Sequence, residues 1–354
     1  MGHHEAADLK GRVVVITGAS AGVGRATALA FAAAGAKLAL IARDRDALEA
    51  TRAELASTGA EAIILPLDVA DADAVFAAAR DCEARLGPID VWVNNAMATV
   101  FSPVKDLTPE EVRRVTEVTY LGNVHGTMAA LRHMRERDRG VIVQVGSSLA
   151  YRGIPLQSAY CGAKHAIRGF TDSLRTELDH SGSGIRITAV HLPAINTPQF
   201  DWARTHRRKM PRPVAPVFAP AVAARAIVHA ARRPTREYWL GRMTPLVIFG
   251  NMLFPGFMDR YLARQAVDGQ ARARDVPTDH LDNLFRPVTS GHRTEGSFGD
   301  EAQPDALLIS APKARAALAV GLCLVGGLAG AAIGASLASG DDRGARHRLP
   351  RLRR

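Results

Sequence analysis

The sequence predicts an α/β protein built on a doubly wound parallel sheet, and three observations carry that prediction. Short apolar runs recur through residues 9–195, Ala/Leu/Glu/Arg-rich helical stretches separate them, and a glycine-spaced turn joins the first run to the first helix. The runs are Val13–Thr17, Leu38–Ile41, Ala62–Leu67, Asp90–Asn94, Val141–Val145 and Ile185–His191. Each is mostly apolar rather than alternating, and several are rich in Val and Ile, as expected of strands covered on both faces. Helical stretches such as Gly22–Ala34 and Thr108–Arg137 lie between them, and regular strand–helix alternation implies a parallel sheet. A further run, Glu237–Leu240, predicts an added edge strand.

With 354 residues, 47% of them hydrophobic, the chain is long enough for a full α/β core. Three scattered cysteines, Cys82, Cys161 and Cys323, make neither a disulfide framework nor a zinc site. The start, MGHHEAADLKGR, has no apolar h-region, so no secretory signal is expected. The net charge of +10 is unevenly placed. Residues 203–242 hold ten Lys/Arg against Glu237, and residues 341–354 hold six Arg against Asp341 and Asp342. The rest is slightly acidic, which excludes a basic nucleic-acid-binding body.

The strand–helix pattern defines a domain over 9–242. An apolar segment over 243–262 that could meet a membrane follows, then a polar, turn-rich stretch over 263–312 that predicts a linker. Ala316–Ser339 gives 24 residues without charge, with Gly326, Gly330 and Gly334 at helix-packing spacing. At 1.5 Å per residue this is about 36 Å of helix, so a transmembrane helix is expected within 313–340, ahead of a basic tail over 341–354. The basic residues on both flanks leave its orientation open.

Thr17-Gly18-Ala19-Ser20-Ala21-Gly22-Val23-Gly24 follows the first strand and opens the first helix. Glycines there let the chain turn tightly and bring backbone N–H groups to a pyrophosphate at a helix N-terminus. After the second strand an NAD site usually places an acid for the ribose hydroxyl; here Ala42 stands there and Arg43 follows. A guanidinium grips a 2′-phosphate, so NADP(H) is expected over NAD(H), although Asp44 lies next door.

Tyr160 and Lys164 sit four residues apart, hence on one helix face. An ammonium beside a phenol lowers a pKa that is normally about 10, making the phenol a general acid or base. Together with the glycine turn, this pair resembles the short-chain dehydrogenase/reductase family, a Rossmann-fold family, and the resemblance covers roughly residues 9–240. TGASAGVG resembles the family's TGxxxGxG, and Asp68-Val69 matches the pair that lies against the adenine. Asn94-Asn95-Ala96-Met97 resembles NNAG beside the cofactor. The family serine that holds the substrate oxygen falls at Ser147, with Ser148 adjacent as the fallback. His191 to Thr197 looks like the stretch whose Pro193, Asn196 and Thr197 hold the nicotinamide amide.

The resemblance thus implies a catalytic set of Ser147, Tyr160 and Lys164. Its cofactor residues are Thr17, Gly18, Ser20, Gly22, Val23, Gly24, Arg43, Asp68, Val69, Asn95, Pro193, Asn196 and Thr197, with Tyr160 and Lys164. Three positions depart from the pattern: Met97 and Ala194 replace glycines, and Thr119 stands where the tetrad asparagine belongs. A threonine hydroxyl there predicts an altered proton relay, with Asn123 one turn on and facing elsewhere.

The expected function is carbonyl/alcohol interconversion by hydride transfer, with a lipophilic substrate as one option. The alternative is a weak or inactive NADP-binding scaffold at a membrane. His165, His191 and His229 lack metal-ligand spacing, so no metal is expected. The basic cluster over 204–212 has no aromatic residue for base stacking, so it predicts a solvated or membrane-facing lid and no nucleic-acid partner. A homo-oligomer at the cytoplasmic face of a membrane, or otherwise in the cytoplasm, is expected.

Overall fold

In the computed structural model, which describes residues 8–320, Val13–Thr17 (β1) buries five consecutive side chains. A strand with no water-facing side must be covered above, below and along both edges. The chain meets that demand by placing β1 mid-sheet, in parallel with Lys37–Ala42 (β2) and Ile89–Asn94 (β4). The other strands are Ala62–Pro66 (β3), Gly140–Ser147 (β5), Ile185–Leu192 (β6), Glu237–Leu240 (β7) and Leu308–Ser310 (β8). Their order is β8-β7-β6-β5-β4-β1-β2-β3, and β1 to β7 pair in parallel. This is a Rossmann-like sheet, with the strand order reversing between β1 and β4, where a crevice opens beyond their carboxyl ends.

Helices cover both faces. Gly22–Ala33 (α1) and Arg45–Ala56 (α2) share one core with Pro220–Arg232 (α7), through Phe31, Leu48, Ala226 and Ile227. Ala72–Leu86 (α3), Pro109–Thr116 (α4), Gly122–Met134 (α5) and Ser158–His180 (α6) share the other, through Val75, Val115, Met134 and Leu174. Side-chain caps start these helices where the sequence supplies them. Asp44 accepts from the Ala47 N–H at 2.7 Å, Asp71 from that of Ala74 at 3.0 Å, and Thr108 forms a capping box with Glu111.

The structure departs from the sequence expectations in four places. The stretch over 109–137 is helical throughout but not uniformly α: a π-helical turn over Glu117–Leu121 joins α4 to α5. Glu237–Leu240 is not an edge strand, because all four residues are buried and β8 covers its outer side. The apolar segment after residue 242 folds as two helices, Met243–Leu253 (α8) and Pro255–Gln265 (α9), with Leu246, Phe254 and Phe257 at least 60% exposed.

The fourth departure is the stretch over 263–312. It was expected as a linker, yet Ala271–Asp275 pairs with Lys209–Pro211, Ala302–Gln303 pairs with Val217–Phe218, and Leu284 is fully buried. Its acids also meet the basic segment. Arg208 and Lys209 pair with Asp275, Arg212 with Glu301, and Arg204 with Asp282, while Arg204 and His206 also reach the buried Glu111. The 204–212 cluster is therefore stitched to neighbouring acids rather than presented as a free basic lid.

A second unit begins at Ser310 and is helical over 311–320. Among the described residues no helix is long and apolar enough to cross a membrane. Most of the expected span over 316–339, and the whole basic tail, lie outside the described residues.

A folded rather than linking role for 263–312 has a measurable consequence. Leu284→Ala should lower the unfolding free energy by about 2–5 kcal/mol, as for a buried core leucine. A loss within about 0.5 kcal/mol in urea titrations would mark Leu284 as a surface residue of a linker.

Candidate active site

The crevice at the strand-order reversal opens into a cavity of about 900 Å³, within the size range of ligand sites. At its base the glycine turn wraps tightly between β1 and α1. Gly18 adopts φ +68° and Gly22 φ +55°, both in the left-handed region. Gly24 is required for a different reason: a Cβ there would lie 1.9 Å from the Gly18 carbonyl oxygen. Gly18, Ser20, Gly22, Val23 and Gly24 all line the cavity, at the N-terminus of α1. Backbone N–H groups at a helix start suit a pyrophosphate; here the Gly22 N–H donates to the Arg293 carbonyl at 3.0 Å.

Thr17 and Asn95 act one layer behind. The Thr17 hydroxyl accepts from the Asn95 and Ala96 N–H groups at 2.9 and 3.0 Å, and the Asn95 amide donates to the Thr17 carbonyl at 2.9 Å. Asn95 lines the cavity and Thr17 does not. Both side chains spend their hydrogen bonds on the turn itself, so the sequence expectation of direct cofactor contact becomes, for Thr17, one of shaping the cradle. Met97, which replaces a glycine, also lines the cavity.

At the far end of the cleft Arg43, Asp68 and Val69 line the wall, as expected of an adenosine site. Burial lowers the Arg43 guanidinium's pKa, with Asp68 opposing and Arg114 adding to that shift. Asp44 also lines the cavity, and one of its carboxylate oxygens caps α2 by accepting from the Ala47 N–H. Asp68 forms an ion pair with Arg114. The structure adds what sequence reasoning missed: the carbonyls of Asn283 and Leu284 accept from Arg43. No motif could have revealed a contact made by backbone oxygen 240 residues away.

At the inner end β5 delivers Ser147 and α6 delivers Tyr160, both on the cavity wall. Burial pushes the Tyr160 phenol above its ordinary range, and the Ser147 hydroxyl opposes that rise. Lys164, one turn along α6, is buried and donates from Nζ to the Val145 carbonyl at 2.7 Å. Burial lowers its pKa to about 8. Its Nζ lies 5.6 Å from the Tyr160 ring centroid. Burial sets the direction for both groups, raising the phenol and lowering the amine.

Pro193 and Thr197 line the same end, while Asn196 lies behind them, fully buried, with its Oδ1 accepting from the Phe298 N–H at 3.0 Å. Behind Ser147, His191 bonds the Ser147 carbonyl through Nδ1 at 3.1 Å and Glu237 through Nε2 at 2.9 Å. This buried pair bears on the backbone that carries the serine.

Thr119 is also away from the cavity wall. Its hydroxyl accepts from the Ala98 N–H and donates to the Ala98 carbonyl, each at 3.0 Å, inside the π-turn. A hydroxyl committed twice to one residue ties α5 to the loop after β4 and leaves little capacity for a relay water. Asn123 bonds Gln144 at 2.8 Å and faces the core beneath β5.

The cradle is tight enough to test. Gly24→Ala drives a methyl into the Gly18 carbonyl, so the variant should melt several degrees lower and lose the stabilisation that dinucleotide gives the parent. Thermal melts with and without NADPH measure both, and an unshifted melt with normal ligand stabilisation would show the turn to be looser than this geometry.

Comparison with known proteins agrees with these features. Residues 12–208 match the model for short chain dehydrogenases. The chain is 35% identical over 258 residues to the uncharacterized oxidoreductase YxnA of Bacillus subtilis, covering 72% of each chain. It is 32% identical over 267 residues to mouse dehydrogenase/reductase SDR family member 7B, covering 73% of this chain and 82% of that one. Among solved structures, an alcohol dehydrogenase from the archaeon Thermococcus sibiricus, complexed with 5-hydroxy-NADP, superposes with TM-score 0.57 at 29% identity. That match covers 64% of this chain and 95% of the other. A glycine turn with no room for a side chain, a long cleft, and a serine and a tyrosine meeting at its inner end thus coincide with these likenesses: the chain belongs to the short-chain dehydrogenase/reductase family of NAD(P)-dependent oxidoreductases.

Proposed function

We propose that this enzyme is an NADP(H)-dependent carbonyl reductase acting on lipophilic substrates, with Tyr160 as its proton donor. The observation that carries the chemistry is the meeting of Ser147 and Tyr160 on one cavity wall with Lys164 one helical turn away. The bound nicotinamide supplies the hydride. The Ser147 hydroxyl donates to the carbonyl oxygen and holds it beside Tyr160. Tyr160 gives its proton to that oxygen as the carbonyl carbon is reduced, and the Lys164 ammonium steadies the resulting phenolate until it is reprotonated.

Arg43 supports the choice of NADP(H). It lies on the cavity wall after β2, the neighbouring Asp44 is engaged in capping α2, and it can meet a 2′-phosphate with charge and paired donors. The 5-hydroxy-NADP in the archaeal relative is in line with that choice. The substrate class follows from the mouth: Leu246, Leu253, Phe254, Phe257 and Tyr261 of α8 and α9 line the cavity while remaining more than half exposed. An apolar rim continuous with the pocket suits a substrate drawn from a lipid surface, and membrane association through this rim and the C-terminal segment belongs to the same proposal.

Three outcomes are expected. Tyr160→Phe keeps the ring and removes the proton, so kcat should fall by roughly two to four orders of magnitude with NADPH still bound. Retained turnover across a panel of quinones, steroids, retinals and acyl compounds would remove Tyr160 from the chemistry. Arg43→Ala should weaken NADPH at least tenfold and leave NADH nearly unchanged; equal losses for both would overturn the NADP assignment.

The third outcome is the pH profile. A phenol raised by burial stays protonated through neutral pH, so reduction should hold steady and then decline as pH rises through about 8, where Lys164 loses its proton. Oxidation needs the phenolate and should instead climb with pH. Identical profiles in the two directions would contradict this assignment of acid and amine.

A further inference from the structure

The open side of the dinucleotide cleft is crossed by a single strand of chain, residues 283–298, whose contacts follow the cleft from end to end. At the adenosine end the Asn283 and Leu284 carbonyls accept from Arg43, the latter at 3.3 Å, and Leu284 also accepts from Arg114 Nε at 3.1 Å. Over the glycine turn, the Gly22 N–H donates to the Arg293 carbonyl at 3.0 Å and Arg25 donates to the His292 carbonyl at 3.1 Å. At the nicotinamide end Gly296 donates to the Asn196 carbonyl at 3.2 Å, and a Cβ on Gly296 would lie 2.4 Å from the Thr197 carbonyl oxygen. Asp201 fastens this end, accepting from Arg293 at 2.5 Å and from Ser297 at 2.7 Å.

Asn283, Pro287, Val288 and His292 line the same cavity as Ser20, Val23 and Tyr160, so the segment forms part of its wall. The segment is also held firmly, with Leu284 and Val288 buried. Nearly every contact uses its backbone, so its course is fixed by shape and by donors that belong to the cofactor cradle.

We propose that residues 283–298 are a clasp: they form the outer wall of the dinucleotide site, enclose the cofactor between themselves and the glycine turn, and must unlatch from Asp201 for the cofactor to exchange. This rests on the assignment of the cleft to a nicotinamide dinucleotide. On binding, the pyrophosphate would take the Gly22 N–H from the Arg293 carbonyl, while the Arg293–Asp201 latch keeps the segment across the cleft and slows sideways release. Two of the elements it grips, Arg43 and the glycine turn, are those that would meet a 2′-phosphate and a pyrophosphate, so closure and cofactor binding share one set of groups.

The test uses the full chain, with NADPH and NADH as probes. The double variant R293A/S297A removes both side chains that hold Asp201 from the clasp, and G296V independently pushes the clasp off Thr197. Stopped-flow fluorescence should show dinucleotide release at least tenfold faster in both variants. Amide exchange across 283–298 should slow on adding dinucleotide to the parent and slow much less in the variants, with protection of β1 and β4 unchanged in all. Unaltered release and exchange would overturn the clasp, and so would tighter binding by the variants, which would make the segment a competitor of the cofactor. If the parent binds neither dinucleotide, the cofactor site and the clasp fall together; if it binds and the variants release at the parental rate, the clasp alone falls.

Discussion

Where β1 ends, the Thr17 hydroxyl takes up the N–H groups of both Asn95 and Ala96, and the Asn95 amide returns to the Thr17 and Gly18 carbonyls. These bonds join the ends of the two strands between which the sheet order reverses. They hold the glycine turn at a spacing where Gly18 and Gly24 can carry no side chain. The cleft, its pyrophosphate end and the wall that bears Ser147 are all measured from this point, because β4 pairs with β5 and β5 carries the serine. Losing the knot would free the carboxyl edge of the sheet before it disturbed the buried faces, since both cores are filled by apolar side chains elsewhere along the strands.

The parts legible in the sequence were those whose physics is written in side chains. Parallel strands covered on both faces need uninterrupted apolar runs, and β1 to β7 lie within a residue or two of the runs that predicted them. Tyr160 and Lys164 at one helical turn, and glycines where no Cβ fits, are equally local statements. The role of Asp44 was not legible, because an acid after a strand reads alike whether it caps a helix or faces a ribose; only the Ala47 N–H in front of it decides. Thr119 was read as a weakened relay, yet a π-turn rotates it onto Ala98, and a π-turn has no composition of its own.

The stretch over 263–312 was the largest misreading, and its cause is physical. It anchors through isolated side chains such as Leu284 and Phe298 and through backbone oxygens, so it has no periodicity to detect. Its acids are spaced to meet the bases of 204–212, and composition sees only a basic segment followed by a mixed one. Charges that look like a surface for an external partner are thereby largely consumed within the fold. Each such exposed pair contributes little stability alone, so their role is better described as fixing the register of one loop on another.

The two openings of the active site therefore differ in kind. The dinucleotide side is walled by backbone hydrogen bonds and an acid latch, a polar closure that water can help to open. The other opening is rimmed by Leu246, Phe254, Phe257 and Tyr261, an apolar surface that water disfavours. Between them Tyr160 and Lys164 sit in surroundings dry enough to raise the phenol and lower the amine. In a wet site the pair would titrate near its ordinary values, and Tyr160 would hold its proton less firmly against a rise in pH. Burial of the inner end of this cleft thus acts on both groups at once, in opposite directions.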